Sequence, residues 1–342
     1  MAAYTTIDNP ELYFQTKIYT GDGNDNRAIT FDGSENMQPN WLWFKNRGAT
    51  AWHNIYDSVR GANKSLATNA TNAEESRSDT LDSFDTNGFT VGNDTSQSPN
   101  GLNTNASSNT YVCWAWKESA TAGFDIVTYT GNGTAGNTVS HSLSAAPTWV
   151  VVKKRSAAGQ WAVGHKAMDS GFDYFMFLDA DSAKGNADNV FNDTAPSSSV
   201  ITLGNAGDTN ANTQTYVAYL WTDIQGFSKF GIYTGNGNAD GPFIHTGFSP
   251  SFVMTHNTET ASQWTMWDNK RTANSNLKDE VLYANGTNAE ATAVTESVDF
   301  LSNGFKIRGN NSGINTSGEI YIYMAFAEAP FVNSKGAPAN AR

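Results

Sequence analysis

One segment returns every 105 residues, and it constrains this 342-residue chain more than any other feature. Thr110-Tyr-Val-Cys-Trp-Ala-Trp116 is followed by Thr215-Tyr-Val-Ala-Tyr-Leu-Trp221, and Glu319-Ile-Tyr-Ile-Tyr-Met-Ala-Phe326 fills the third window. Tyr111, Tyr216 and Tyr321 share one position, and Trp116, Trp221 and Phe326 another. An acid stands two residues on each time, at Glu118, Asp223 and Glu328. A fixed period of this kind means one structural unit used repeatedly.

Other landmarks keep the same order. Each unit opens on a glycine turn: Tyr19-Thr-Gly-Asp-Gly-Asn24, Tyr129-Thr-Gly-Asn-Gly-Thr134 and Tyr233-Thr-Gly-Asn-Gly-Asn238. Asp-Gly and Asn-Gly suit positive-φ turn positions, so these read as hairpins that begin each sheet. A proline-led apolar run follows: Pro39 to Lys45, Pro147 to Lys153 and Pro250 to Thr255. Proline at a strand's first residue costs no ladder bond. Unbroken apolar runs predict strands buried on both faces. Next come His53 to Asp57, Trp161 to His165 and Trp264 to Asp268, then variable polar stretches at 63–82 and 179–193. Hairpins return at Thr86-Asn-Gly-Phe89 and Ser302-Asn-Gly-Phe305; Ser199 to Leu203 fills that place in the second copy without Asn-Gly.

Aromatic and β-branched runs broken by Gly and Asn predict an all-β fold of three tandem antiparallel β-sandwich units, jelly-roll or lectin-like. The units are placed at 13–119, 120–226 and 227–333, after an N-terminal segment 1–12 and before a tail 334–342. Joints at 120–123 and 224–226 are too short to swing freely. A propeller fits less well, since a blade needs only about 40–45 residues.

Formal net charge is −12. That disfavours binding to nucleic acid, which needs clustered Lys and Arg. Lys153-Lys154-Arg155 is the dense basic run, read as a solvated strand edge. Cys113 is the single cysteine, which forbids an intrachain disulfide, and is read as a buried thiol. No apolar run reaches the roughly 20 residues of a membrane span. The N-terminus has no signal-peptide pattern, which predicts folding in a cytoplasm.

No pattern marks a catalytic residue, a metal site or a cofactor. Glu118, Asp223 and Glu328 lack an obvious second acid for glycan hydrolysis and read as edge caps. Gly21 to Asn26 carries oxygen ligands but not the spacing of a calcium loop, so it reads as a turn. The five histidines show no short metal-ligand spacing. Tyr56, Asp57 and Arg60, with Trp267, Asp268 and Arg271, form the candidate binding set. An aromatic ring beside an acid and an arginine suits a sugar, and the competing reading is a strand end with an ion pair.

The chain also resembles a recurrent family of virion proteins from marine tailed bacteriophages. The resemblance rests on Tyr233-Thr-Gly-Asn-Gly-Asn-Ala-Asp-Gly-Pro242, Asp299-Phe-Leu-Ser-Asn-Gly-Phe305 and Tyr321-Ile-Tyr-Met-Ala-Phe-Ala-Glu-Ala-Pro-Phe331, with Thr5-Thr-Ile-Asp-Asn-Pro10 at the start. It implies a non-enzymatic virion protein, tail-fibre-like or lectin-like. The expected partners are other virion proteins and a host surface polysaccharide or receptor. A homo-oligomer, a trimer by analogy with fibres, is expected in the virion. The alternative expectation is a capsid decoration or tail adaptor protein.

Overall fold

The computed structural model describes residues 4–94, 103–272 and 275–338. The fold is all-β, built from antiparallel strands. The first unit contains β1 (Phe14–Thr20), β2 (Arg27–Thr30), β3 (Trp41–Asn46), β4 (Asn54–Asp57), β5 (Lys64–Ala67), β6 (Glu75–Ser76), β7 (Leu81–Asp85), β8 (Gly88–Val91) and β9 (Thr110–Trp116). They form a six-stranded sheet, β1-β9-β3-β4-β5-β6, backed by a three-stranded sheet, β2-β8-β7.

The six-stranded order recurs twice. In the second unit it runs Phe124–Thr130, Thr215–Trp221, Trp149–Lys154, Trp161–His165, Tyr174–Phe177 and Gly185–Asn186. In the third it runs Ser228–Thr234, Ile320–Pro330, Phe248–Asn257, Thr265–Asp268, Glu280–Tyr283 and Ala291–Thr292. Register repeats with order: Tyr19 faces Tyr111, Tyr129 faces Tyr216, and Tyr233 faces Tyr321. The backing sheets differ, with two strands in the second unit and four in the third. Thr86-Asn87 and Ser302-Asn303 make the expected two-residue hairpin turns.

The glycine turns are not hairpins. β1 pairs with β9 and β2 with β8, so the loop between β1 and β2 carries the chain from one layer to the other. Its amides bind elsewhere: Gly21 N donates to the Asn109 carbonyl and Gly23 N to that of Asn105. The prolines also divide. Pro39 and Pro147 precede their strands, whereas Pro250 lies inside Phe248–Asn257 at a break in register.

Period-2 alternation explains the two-sided burial of the apolar runs. On β3, Leu42 and Phe44 pack into the first unit's own sandwich, while Trp41 and Trp43 enter a second core common to all three units. On β9, Cys113 and Ala115 take the first side and Val112, Trp114 and Trp116 the second. The second unit repeats this, with Val150 and Val152 against Trp149 and Val151. Aromatic rings join the sheets pairwise: Trp41 to Trp221 at 5.3 Å, Trp116 to Phe326 at 5.5 Å, and Trp149 to Trp264 at 6.0 Å between centroids. Packing there is tight. The void among Trp41, Trp43, Trp149, Trp161 and Tyr219 is about 10 Å³, at the lower limit for one water molecule.

The three sheets close into a ring through one pair of backbone hydrogen bonds used three times. Ala51 N donates to Thr287 O and Glu290 N to Arg47 O, at 2.9 and 2.8 Å. Gly159 N donates to Thr71 O and Glu74 N to Arg155 O, both at 2.9 Å. Ser262 N donates to Asp181 O at 2.8 Å and Lys184 N to Thr258 O at 3.0 Å. Unit one thus meets three, two meets one, and three meets two. A head-to-tail contact that closes in this way defines a rotational pseudo-symmetry, here threefold and within one chain. The ends add to the closure. Ile7 is buried in the shared core, the Tyr4 hydroxyl donates to Gly247 O, and Ser334 N donates to an Asp8 carboxylate oxygen at 2.6 Å. Of the tail, residues 339–342 lie outside the described residues.

A shared core makes the units thermodynamically one body. Trp116→Ala or Trp221→Ala should cost about 3–5 kcal/mol and lower one cooperative calorimetric transition for the whole chain. Separate melting of the mutated unit would contradict the shared core.

Candidate functional site

The structure buries all six residues of the candidate binding set. Tyr56, Asp57, Trp267 and Asp268 are at most 1% exposed and Arg60 and Arg271 are 7%. No ring face is open to a sugar, which corrects the exposed-platform reading. The ion-pair reading describes what they do. Arg60 bonds Asp57 in its own turn and reaches Glu74 at 3.1 Å, and Glu74 accepts from Arg155 of the second unit at 2.8 Å. The Tyr219 hydroxyl, also of the second unit, donates to Asp57 at 2.7 Å. Asp268 and Arg271 repeat the arrangement: Arg271 reaches Glu290, which accepts from Arg47 of the first unit, and the Trp114 indole donates to Asp268 at 3.0 Å. The two sets clamp neighbouring units together. The remaining seam has no such clamp, because His165 and Met168 stand where the aspartate and arginine would.

Two residues of the basic run, Lys153 and Arg155, likewise belong to a seam and not to a solvated edge. Lys153 is fully buried and its ammonium donates to Thr71 O of the first unit and to Gly159 O. Lys45, its counterpart, donates to Thr287 O of the third unit and to Ala51 O. Burial brings both ammonium groups down to about 8. His53, Trp161 and Trp264 share one position. The two indoles donate across seams to Ala67 O at 2.8 Å and Phe177 O at 3.0 Å. His53 accepts from the Trp43 indole within its own unit. Cys113 is buried, and burial pushes its thiol well above the usual value.

Two of the three repeated acids cap the strand that starts the next unit, while Glu328 accepts from the Ser249 hydroxyl of its own unit. Glu118 accepts from Ile126 N at 3.2 Å and Asp223 from Phe230 N at 2.7 Å. The fold does supply a second acid, Asp125, which accepts from the same Ile126 N and hydrogen-bonds Glu118. Burial and that neighbour push Glu118 up to about 7. A retaining glycosidase holds its two carboxyls about 5–5.5 Å apart for a sugar between them.

What sequence reading missed is a set of buried asparagines. Asn105, Asn210 and Asn315 are fully buried. Each side-chain oxygen accepts from the amide of the turn residue, Asp22, Asn132 or Asn236, at 3.2, 3.0 and 2.8 Å. Each side-chain nitrogen donates to the carbonyl two residues on, at Asn24, Thr134 and Asn238. Their own 105-residue spacing was the available signal. Stacked tyrosines stand beside each clamp, with centroids 5.2, 5.1 and 4.9 Å apart. The glycines fit this docking. A Cβ on Gly21, Gly131 or Gly235 would lie within 2.3 Å of a backbone oxygen, and Gly23, Gly133 and Gly237 have φ near +70°.

The outcome is one loop displayed three times. Asn24 to Asn26, Asn132 to Gly136 and Asn236 to Asp240 are exposed, while their bases are fixed. Beside the first loop lies a hollow of about 620 Å³ lined by Asn24, Asp25, Asn26, Asp79, Asp82 and Asn93. Burial, with Asp25 and Asp79 nearby, raises the Asp82 carboxyl above its ordinary value. Among the described residues no three acids, histidines or cysteines are placed to hold a metal ion.

A family model described as a domain of unknown function (DUF7483) matches residues 9–330, and the chain belongs to that family. No curated protein matches it.

Two predictions separate clamp from loop. Arg60→Ala or Arg271→Ala leaves a buried aspartate without its arginine and should cost about 3–5 kcal/mol in denaturant unfolding. A loss under about 1 kcal/mol would mean that the aspartate is already solvated or otherwise paired. Asn210→Ala should cost about 1–3 kcal/mol and speed amide exchange at Asn132 and Gly133 over the equivalent amides of the other two loops. Uniform exchange would remove the clamping role.

Proposed function

We propose that this protein is a non-enzymatic structural component of a bacteriophage virion whose repeated loops bind a host-surface glycan or receptor. The observation that carries the reading is the single exposed loop repeated around one rigid ring. Binding functions sit on loops held by a stiff frame, and weak sites gain avidity when several engage together. Here three copies occur within one chain, so the multiplicity that fibres obtain by trimerisation has an internal counterpart. Uncharged Asn, Thr and Gly dominate these loops, and such groups hydrogen-bond sugar hydroxyls. Most of the large aromatics serve the core, Phe243 beside the third loop being exposed, so recognition in this reading falls chiefly to these polar groups.

The test is gold-labelled antibody against the chain on intact virions, viewed by electron microscopy. Label at the tail tip or fibres is the expected result. Asn24→Arg with Thr134→Arg and Asn238→Arg should then abolish host-cell attachment without changing the melting temperature. Label spread over the head would replace the adhesin reading with capsid decoration, and virions without label would end both.

A further inference from the structure

We propose that the outer face of the third unit's backing sheet, beside the third loop, carries a binding subsite for a neutral pyranose, with Phe243 as its platform. This rests on the reading of the chain as a glycan binder, and names the class of sugar and where it sits. Phe243 is the one exposed aromatic among the described residues, at 45%. A lone exposed apolar residue is ordinary on a protein surface, so its surroundings decide what it means.

Register sets those surroundings. Phe243–His245 pairs with Gly304–Ile307, which pairs in turn with Val298–Leu301. Side chains directly opposite one another share a face. Ile244 faces Phe305 and both are buried. Phe243, Lys306 and Asp299 therefore lie in one outward row, and His245, Gly304 and Leu301 in the next. A Cβ on Gly304 would lie 3.1 Å from Phe243 Cζ. The ring thus leans diagonally along the sheet and over the glycine. Covering Gly304 accounts for its inner face, and the outer face is left to solvent.

Polar groups rim that face. Asp240, whose side chain is 80% exposed, ends the third loop and pairs with Lys306 Nζ at 2.9 Å. Arg308 lies between Asp240 and Asp299, at 3.8 and 3.4 Å. An aromatic ring beside an acid and an arginine is buried at Tyr56, Asp57 and Arg60; here the same combination lies open, assembled from a loop and neighbouring strands. The C–H face of a pyranose packs on an aromatic ring, and charged groups at the ring's edge make strong hydrogen bonds to hydroxyls. The other two units carry small residues at these positions. Ala28 and Thr90 in the first unit, and Thr138 and Thr202 in the second, stand where Phe243 and Lys306 do in the third. The subsite therefore adds to the third loop something the threefold repeat does not supply.

Charge selects a neutral sugar. Lys306 and Arg308 are already matched by Asp240 and Asp299, and the net charge of −12 repels a polyanion.

Amide chemical shifts of the full chain test this, in titrations with the methyl glycosides of glucose, galactose and mannose and with glucuronate. The expected result is that at least one neutral glycoside moves the amides of Ile244, Gly304 and Lys306, and that glucuronate does not. Phe243→Ala should weaken that binding about tenfold. Asp240→Ala should also weaken it, at an unchanged melting temperature, and serves if Phe243→Ala fails to fold. Asn24→Arg with Thr134→Arg alters the loops of the first two units and should leave the titration as it was. Shifts confined to the loops at Asn24, Thr134 and Asn238 overturn the subsite and leave the loop reading standing. No shift with any neutral glycoside, or a response to glucuronate alone, overturns the subsite as well. Shifts at Gly304 and Lys306 in a protein whose antibody labels no virion would uphold the subsite and end the virion role.

Discussion

Everything in this fold depends on the aromatic core that the three large sheets share. A six-stranded sheet with tryptophan on one face and aliphatic residues on the other has two apolar faces to cover. The small backing sheet covers one. The other can be covered only by the equivalent faces of the neighbouring units, and Trp41, Trp116, Trp149 and Phe326 meet there. Burial of large apolar area is the dominant favourable term in folding, so the units are not beads on a string. Each completes the others' cores.

That arrangement brings strand ends and loops together along three seams, where backbone groups leave water and need partners. The chain answers with the same two backbone bonds at each seam and with side chains chosen seam by seam. Two seams use aspartate, arginine and glutamate in series. At the third, His165 and Met168 hold the equivalent positions, and a Lys184–Glu259 pair crosses the rim. Buried charge costs desolvation that only good geometry offsets. An apolar substitute at one seam is therefore chemically reasonable, and it explains why the motif appears in only two copies.

Function on such a frame belongs to what the frame leaves outside. The loops at Asn24, Thr134 and Asn238 have fixed bases and exposed crests, and their chemistry is amide and hydroxyl.

The sequence by itself determined the repeat, the strand-rich class, and which segments are buried on both faces. These are local matters: period-2 patterning, turn residues and a 105-residue spacing are all written along the chain. It also showed that Asp57 and Arg60 recur as Asp268 and Arg271. Only the tertiary structure decided what they face. An aromatic beside an acid and an arginine looks the same in sequence whether its ring meets solvent or another sheet, because the partners of Asp57 and Asp268 lie 162 and 154 residues away, at Tyr219 and Trp114. The glycine turns misled for the same reason. Their positive φ values were legible, but the buried asparagine that receives them lies about 80 residues further on. Local conformation follows from local sequence, while pairing across a ring depends on which surfaces are left to be covered once each sheet has formed.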